Sequence, residues 1–203
     1  MKIVDKHGLL ADLAGNDNIV LELGCGSRKR HSEAIGIDAR DLPGVDIVGD
    51  ALSVLRELPA ESVSTVHSYH FFEHVNDFAA YMVEMNRVMK KSGQLHITTP
   101  HFSNPYYYSD CTHRTPFGLY SLSYFCDSNL FRRRVPVYHP GLRFDLVSVD
   151  LIFKASPPFY LRWGVKKVFQ FLFNSSSYMK ELYEESFCYL IPCYEVRYEL
   201  VKL

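Results

Sequence analysis

Between Pro100 and Phe117 the chain reads PHFSNPYYYSDCTHRTPF, a run with two histidines, one aspartate and three consecutive tyrosines but neither helical nor strand periodicity. Histidine ordinarily titrates at about 6.5, which makes it the side chain best matched to taking a proton near neutral pH. His113 is thus a candidate general base, and Asp110, three residues before it, a candidate to orient the imidazole. His101 is a second base or an acceptor-binding group. Tyr106, Tyr107 and Tyr108 could stack on the apolar face of a sugar or an aromatic ring. Two other readings stay open. Asp110, Thr112 and His113 could hold the loop together through side-chain to backbone hydrogen bonds, or His101, Asp110 and His113 could form a two-histidine, one-carboxylate metal site.

A second group of residues sits earlier. Gly24 and Gly26 directly follow the apolar run NIVLEL, where glycine lets a backbone turn sharply and approach a ligand. Asp38 and Asp50 each close a short apolar run; at such strand ends a carboxylate can hold ribose hydroxyls or an adenine amino group. The third glycine of a dinucleotide turn is replaced by Ser27-Arg28-Lys29, which disfavours a pyrophosphate ligand. A rival motif is His70-Phe71-Phe72-Glu73-His74, which matches the H-x-x-E-H pattern of a zinc-dependent hydrolase and would need both histidines at helical spacing.

The elements that must position these residues follow from periodicity. NIVLEL, AIGID, VDIVGDA, SVSTVHSYHF and QLHITTP read as five short strands. Val75 to Lys90 carries a one-sided apolar stripe (Val75, Phe78, Ala79, Met82, Met85, Val88, Met89) that predicts a helix ended by the cations and glycine of KKSG. RFDLVSVDLIFKA and YEVRYELVKL are later strands, with a helix-like aromatic and basic insertion, PPFYLRWGVKKVFQFLFN, between them. The expectation is an α/β fold: a Rossmann-like, mostly parallel sheet with an antiparallel C-terminal strand and helices on both faces. A ligand would lie beyond the carboxyl ends of the strands.

VLELGCGSRKR, AIGIDAR, DIVGDAL, STVHSYHFFEHV and NRVMKKSGQLHITTP, in that order, resemble the class I S-adenosylmethionine-dependent methyltransferases, most closely the methyltransferase type 11 group. PHFS at Pro100 to Ser103 and DCTH at Asp110 to His113 resemble a subset associated with surface-polysaccharide and sugar modification, as does the closing YEESFCYLIPCYEVRYEL. The resemblance implies that Glu22, Gly24 and Gly26 shape the methionine pocket, that Asp38 holds the ribose, and that Asp50 with Ala51 frames the adenine. It also implies that His67 and Ser68 line the methyl-donor side, and that a small or carbohydrate-like acceptor receives the methyl group on a hydroxyl, leaving S-adenosylhomocysteine. In this reading no metal is required, and EHV starts the helix after the fourth strand. A non-catalytic protein that binds S-adenosylmethionine is the other alternative. Only ten residues separate Gly26 from Ile37, so the first crossover helix is cut to a turn or so, and Arg28 or Lys29 could meet the cofactor carboxylate.

Composition fits these expectations. The 203 residues suit one domain, 1–203, with a cofactor-binding half (1–100) and an acceptor-binding half (101–203) carrying the aromatic insertion. A formal net charge of -1 gives no general attraction to nucleic acid. Five cysteines without a CxxC pair argue against a disulfide framework and for a reducing cytoplasm. Neither a signal-peptide core nor a membrane-length apolar run is present. The segment FYLRWGVKKVFQFLF could touch a membrane surface peripherally or form a homodimer face, and Arg132-Arg133-Arg134 could attract an acceptor's phosphates.

Overall fold

The computed structural model describes residues 2–12, 18–126, 128–155 and 158–203. The strands are β1 (Val4–Asp5), β2 (Ile19–Leu23), β3 (Ile35–Asp38), β4 (Ile47–Val48), β5 (Val63–Tyr69), β6 (Met89–Pro100), β7 (Phe144–Ile152) and β8 (Glu195–Lys202). The helices are α1 (Leu9–Asp12), α2 (Ala51–Glu57), α3 (Phe78–Val88), α4 (Tyr160–Asn174) and α5 (Ser177–Leu182). Among the described residues one sheet contains every strand, in the order β1-β4-β3-β2-β5-β6-β8-β7. Strands β4, β3, β2, β5 and β6 run parallel, and β8 is antiparallel to both β6 and β7.

Parallel pairing aligns the carboxyl ends of β2, β3, β5 and β6, and this brings Gly24, Asp38, His70 and His101 to one edge. The two faces of the sheet differ in chemistry. Leu21, Leu23, Val66, Leu95, Ile97, Tyr198 and Leu200 share one face and pack in the main core with Val54 and Leu55 of α2 and Met82, Met85 and Val88 of α3. Each such side chain, fully buried, contributes about 1.5–3 kcal/mol. The other face carries Glu22, His67, Tyr69, His96 and Glu199 in register. The shortened crossover lies against it: His31 stacks on His67 at 3.7 Å, His67 on His96 at 4.9 Å, and the Arg30 guanidinium sits 4.1 Å from the Tyr69 ring centre.

Several boundaries differ from the sequence reading. The helix expected from Val75 to Lys90 is α3, capped by the Asp77 carboxylate on Ala80 N and ended at Val88. Gly93 does not cap it, because β6 has already begun at Met89, and the left-handed turn within KKSG falls on Ser92 (φ 64°). Strand β1 was not legible as a strand; its two residues pair with β4. The insertion forms α4, whose inner face is tied to β7: Phe173 is buried, and Gln170 and Asn174 bond to the backbone of Phe153 and Leu151. Its outer face leaves Leu161, Val168 and Phe171 exposed. Among the described residues no helix is long and apolar enough to cross a membrane.

Candidate functional site

The glycine turn is built by two backbone bonds and one carboxylate. Gly24 N and Cys25 N donate to the Ile37 carbonyl, and Gly26 N donates to Asp38 Oδ2 at 3.0 Å. Gly24 and Gly26 have φ of 68° and 62°, in the left-handed region that disfavours any Cβ. Gly24 is also shut in from above, since a Cβ there would lie 2.7 Å from Phe71 Cβ. Gly26 faces open space: a Cβ would meet nothing within 4 Å.

Glu22 is buried, and its carboxylate accepts from Arg30 N and His31 N, so it fixes the loop that replaces the first crossover helix. Asp38 Oδ1 accepts from Arg40 N, which leaves the carboxylate braced between two loops at the strand end. Asp50 caps α2, accepting from Ser53 N and Oγ, with buried Ala51 opening the helix. Burial, followed by the nearby Asp50 charge, pushes the Tyr81 hydroxyl up to about 12. Lys29 is committed elsewhere: its ammonium bonds Asp46 Oδ2 at 2.6 Å and the Ala34 carbonyl. That arrangement removes Lys29 as a partner for a cofactor carboxylate and leaves Arg28 at an exposed position.

The fourth of the parallel strands, β5, ends within the run SVSTVHSYHF, at Tyr69. Because β5 continues to Tyr69, Ser68 is fully buried in the sheet and His67 stands on its polar face between His31 and His96. Burial, and then the neighbouring His31 and His96, press the His67 pKa down to about 4. The residues that leave the strand at the ligand edge are His70 and Phe71, and His70 makes the turn with φ of 53°. Its Nε2 lies 3.0 Å from Glu195 Oε1 and its Nδ1 3.4 Å from Glu73 Oε1. Hydrogen bonds to Glu195 and then Glu73 raise it to about 9, so it is an imidazolium at neutral pH. Glu195 is held down to about 2 against its burial, by His70 and by Lys154 at 2.6 Å.

This geometry also settles the form of the H-x-x-E-H segment. Residues Phe72–His74 make a single 3-10 turn after a strand, not an α-helix, and His70 is turned toward Glu195. The paired grip of a zinc-hydrolase helix is absent from these residues.

The 101–117 loop divides into inner and outer residues. His101 is fully buried, with Nδ1 against Ser103 Oγ (2.8 Å) and Nε2 against Glu184 Oε2 (3.1 Å). Both ring nitrogens are engaged inside the protein, and His101 does not join His113. Asp110 accepts from Thr112 N and Thr112 Oγ1 through Oδ1, while its Oδ2 lies 3.7 Å from His113 Nε2. Thus Asp110 closes the loop on itself and stands beside the His113 ring without bonding it. Tyr107 is buried and stacked on His113 at 4.8 Å, whereas Tyr106 and Tyr108 are about two-thirds exposed, at 68% and 70%.

What the spacing did not reveal is that His113 meets His74 and Glu73, about forty positions earlier. Ligand atoms of Glu73, His74 and His113 all lie within 4.8 Å of one another. The contact is made by the chain path: Arg114 N and Thr115 N both bond the Glu73 carbonyl, and Thr115 Oγ1 bonds the Val75 carbonyl. The arginines Arg132 and Arg133 line a separate cavity of about 510 Å³ with Tyr120, Tyr178 and Glu181; their guanidinium groups already lie over the Tyr178 and Tyr120 rings, and their backbone amides bond the Glu181 carboxylate.

Residues 28–97 match the family described as a methyltransferase domain. No curated protein matches the chain. Among solved structures, a SAM-dependent methyltransferase from Archaeoglobus fulgidus superposes with a TM-score of 0.63 at 18% identity, over 97% of this chain and 94% of that one. The phosphoethanolamine N-methyltransferase 2 of Haemonchus contortus, solved with phosphomonomethylethanolamine and S-adenosylhomocysteine, gives 0.51 at 12% identity over 97% of this chain and 52% of that one. The fold is therefore that of the class I methyltransferases. The domain match and the fold support an S-adenosylmethionine-dependent methyltransferase, with S-adenosylmethionine as cofactor. The residues fit that cofactor: open space over Gly26, where a side chain would intrude, lies beside the Asp38 carboxylate at the end of the neighbouring strand.

Proposed function

We propose that this protein transfers the methyl group of S-adenosylmethionine to a hydroxyl of a small or carbohydrate-like acceptor, in the modification of sugars or surface polysaccharides. The observation that carries the reading is the group formed by Glu73, His74 and His113 at the edge where the parallel strands end. S-adenosylmethionine, when bound, supplies a methyl group on a sulfonium. The Gly24–Gly26 turn, Asp38, and Asp50 with Ala51 hold it, with Glu22 fixing the loop that follows the turn.

The chain's own task is then to seat an acceptor oxygen in line and accept its proton. His113 suits that task. Its Nδ1 faces the Tyr107 carbonyl at 2.8 Å and must donate to it, so Nε2 carries the free lone pair. Exposed Tyr106 and Tyr108 on the same loop offer ring faces to the carbon skeleton of a sugar. The polysaccharide role rests on the resemblance of PHFS and DCTH to that subset.

The test is methyl transfer from labelled S-adenosylmethionine to a panel of sugars, sugar nucleotides and amines. The reading expects label on a hydroxyl, and a His113→Ala variant that loses roughly a hundredfold or more in kcat while keeping its cofactor affinity. Cofactor binding without transfer to any acceptor would favour a non-catalytic binding protein.

A further inference from the structure

The hydrogen bonds around buried Glu73, exposed His74 and half-buried His113 fix which nitrogen of each neutral imidazole carries its proton. The Tyr107 carbonyl can only accept, so His113 Nδ1 is its donor and Nε2 is left as an acceptor. Thr112 spends its one hydroxyl proton on Asp110 Oδ1 at 2.6 Å. His74 Nδ1, 2.9 Å from Thr112 Oγ1, is therefore the donor to that oxygen, and His74 Nε2 is also an acceptor. The Glu73 side chain is 1% exposed; its Oε1 lies 3.4 Å from His70 Nδ1 and 4.0 Å from His74 Nε2, whereas Oε2 has no hydrogen-bond partner among the described residues. Two imidazole lone pairs thus converge with the buried Glu73 carboxylate, an arrangement of acceptors that suits a cation in the middle.

We propose that Glu73, His74 and His113 bind a divalent first-row transition metal ion. Two imidazoles with one carboxylate favour such an ion over magnesium or calcium, which take oxygen ligands. Each histidine is oriented through its second nitrogen, by a backbone carbonyl and by the Thr112 hydroxyl, as ligating histidines are. Asp110 Oδ2, 3.7 Å from His113 Nε2, offers a further oxygen. With ligand atoms now within 4.8 Å of one another, an inward movement of each by less than about 1 Å reaches a zinc-type separation.

The consequence for the reaction rests on the reading given above. In the metal-loaded protein His113 is a ligand, and the ion takes over its part by binding the acceptor's hydroxyl oxygen and making the proton easier to lose, to Asp110 or to water. The oxygen then forms its bond to the methyl carbon as the carbon–sulfur bond breaks.

The experiment is calorimetric titration of the full, EDTA-treated chain with zinc chloride and with manganese chloride, beside a titration with S-adenosylmethionine on the same samples. One ion per chain, weakened at least tenfold in His113→Ala and in Glu73→Gln but unchanged in His31→Ala, is the expected result. Zinc affinity that is equal in His113→Ala and wild type, or no zinc or manganese binding by a protein that still binds S-adenosylmethionine, would overturn the site. Metal binding of the expected pattern in a protein that fails to bind S-adenosylmethionine would leave the site standing and refute the methyltransferase reading instead.

Discussion

Replacing each glycine of the turn by alanine separates what the turn does for the fold from what it does for the cofactor. Both positions are left-handed, at φ 68° and 62°, and a Cβ in that region costs about 1–2 kcal/mol. At Gly24 the new methyl group would also lie 2.7 Å from Phe71 Cβ and Cδ2, well inside the ~3.5–4.0 Å of ordinary carbon contact. Forcing Phe71 aside adds the overpacking cost of about 1–3 kcal/mol, for a total of about 2–5 kcal/mol. For a protein of this size that lowers the melting temperature by on the order of 10 °C. At Gly26 nothing stands within 4 Å, so only the backbone strain remains, a fall of about 2–8 °C. The methyl group there enters the space assigned to S-adenosylmethionine and should weaken its binding at least tenfold. Thermal melting and calorimetric titration read the two effects. A Gly26→Ala protein that binds S-adenosylmethionine as tightly as wild type, or a Gly24→Ala protein that melts with the wild type, would refute the reasoning.

Two further outcomes follow from charge. His67 is pressed to about 4 by burial and then by His31 and His96, with Glu33 pulling the other way, whereas an unfolded histidine titrates at about 6.5. Between those values the unfolded chain binds more protons, so stability falls as pH drops from about 6.5 toward 4. The full shift corresponds to about 3 kcal/mol, reduced by partial solvent screening to about 1–2 kcal/mol. Melting curves at pH 7 and pH 5 should therefore differ less in His67→Asn than in wild type, and equal slopes would contradict the assignment. Glu195→Gln removes the one carboxylate bonded to both His70 and Lys154 and should cost about 2–3 kcal/mol in urea unfolding. The same change should bring the His70 imidazole down from about 9 when followed by NMR, and an unshifted titration would show that Glu195 does not hold its charge.

The cofactor end of the molecule was legible because its signals are local. Apolar runs that end in glycine or aspartate announced β2, β3 and β4, and the parallel sheet then carried Gly24, Gly26 and Asp38 to one edge. The resemblance had His67 and Ser68 lining the methyl-donor side, whereas β5 runs past both to Tyr69, and the residues that leave it at the ligand edge are His70 and Phe71. The end of α3 moved for a similar reason, since the β6 ladder captures Met89 before the glycine is reached. The acceptor side was only half legible. His113 and Asp110 stand close as expected, but the partners that matter to His113, Tyr107 apart, come from His74 and Glu73 across the fold, a contact that spacing cannot encode. The sequence offered His101 as a second base or an acceptor-binding group, and only the path of the chain past Glu184 shows it enclosed.

The central claim is that this sheet edge binds S-adenosylmethionine through the glycine turn and Asp38. Calorimetric titration of the full chain with S-adenosylmethionine and with S-adenosylhomocysteine, repeated on Asp38→Asn, tests it most directly. One saturable site for both compounds, weakened at least tenfold in a variant that still folds, is the predicted result. A folded wild-type protein that binds neither compound would contradict the account.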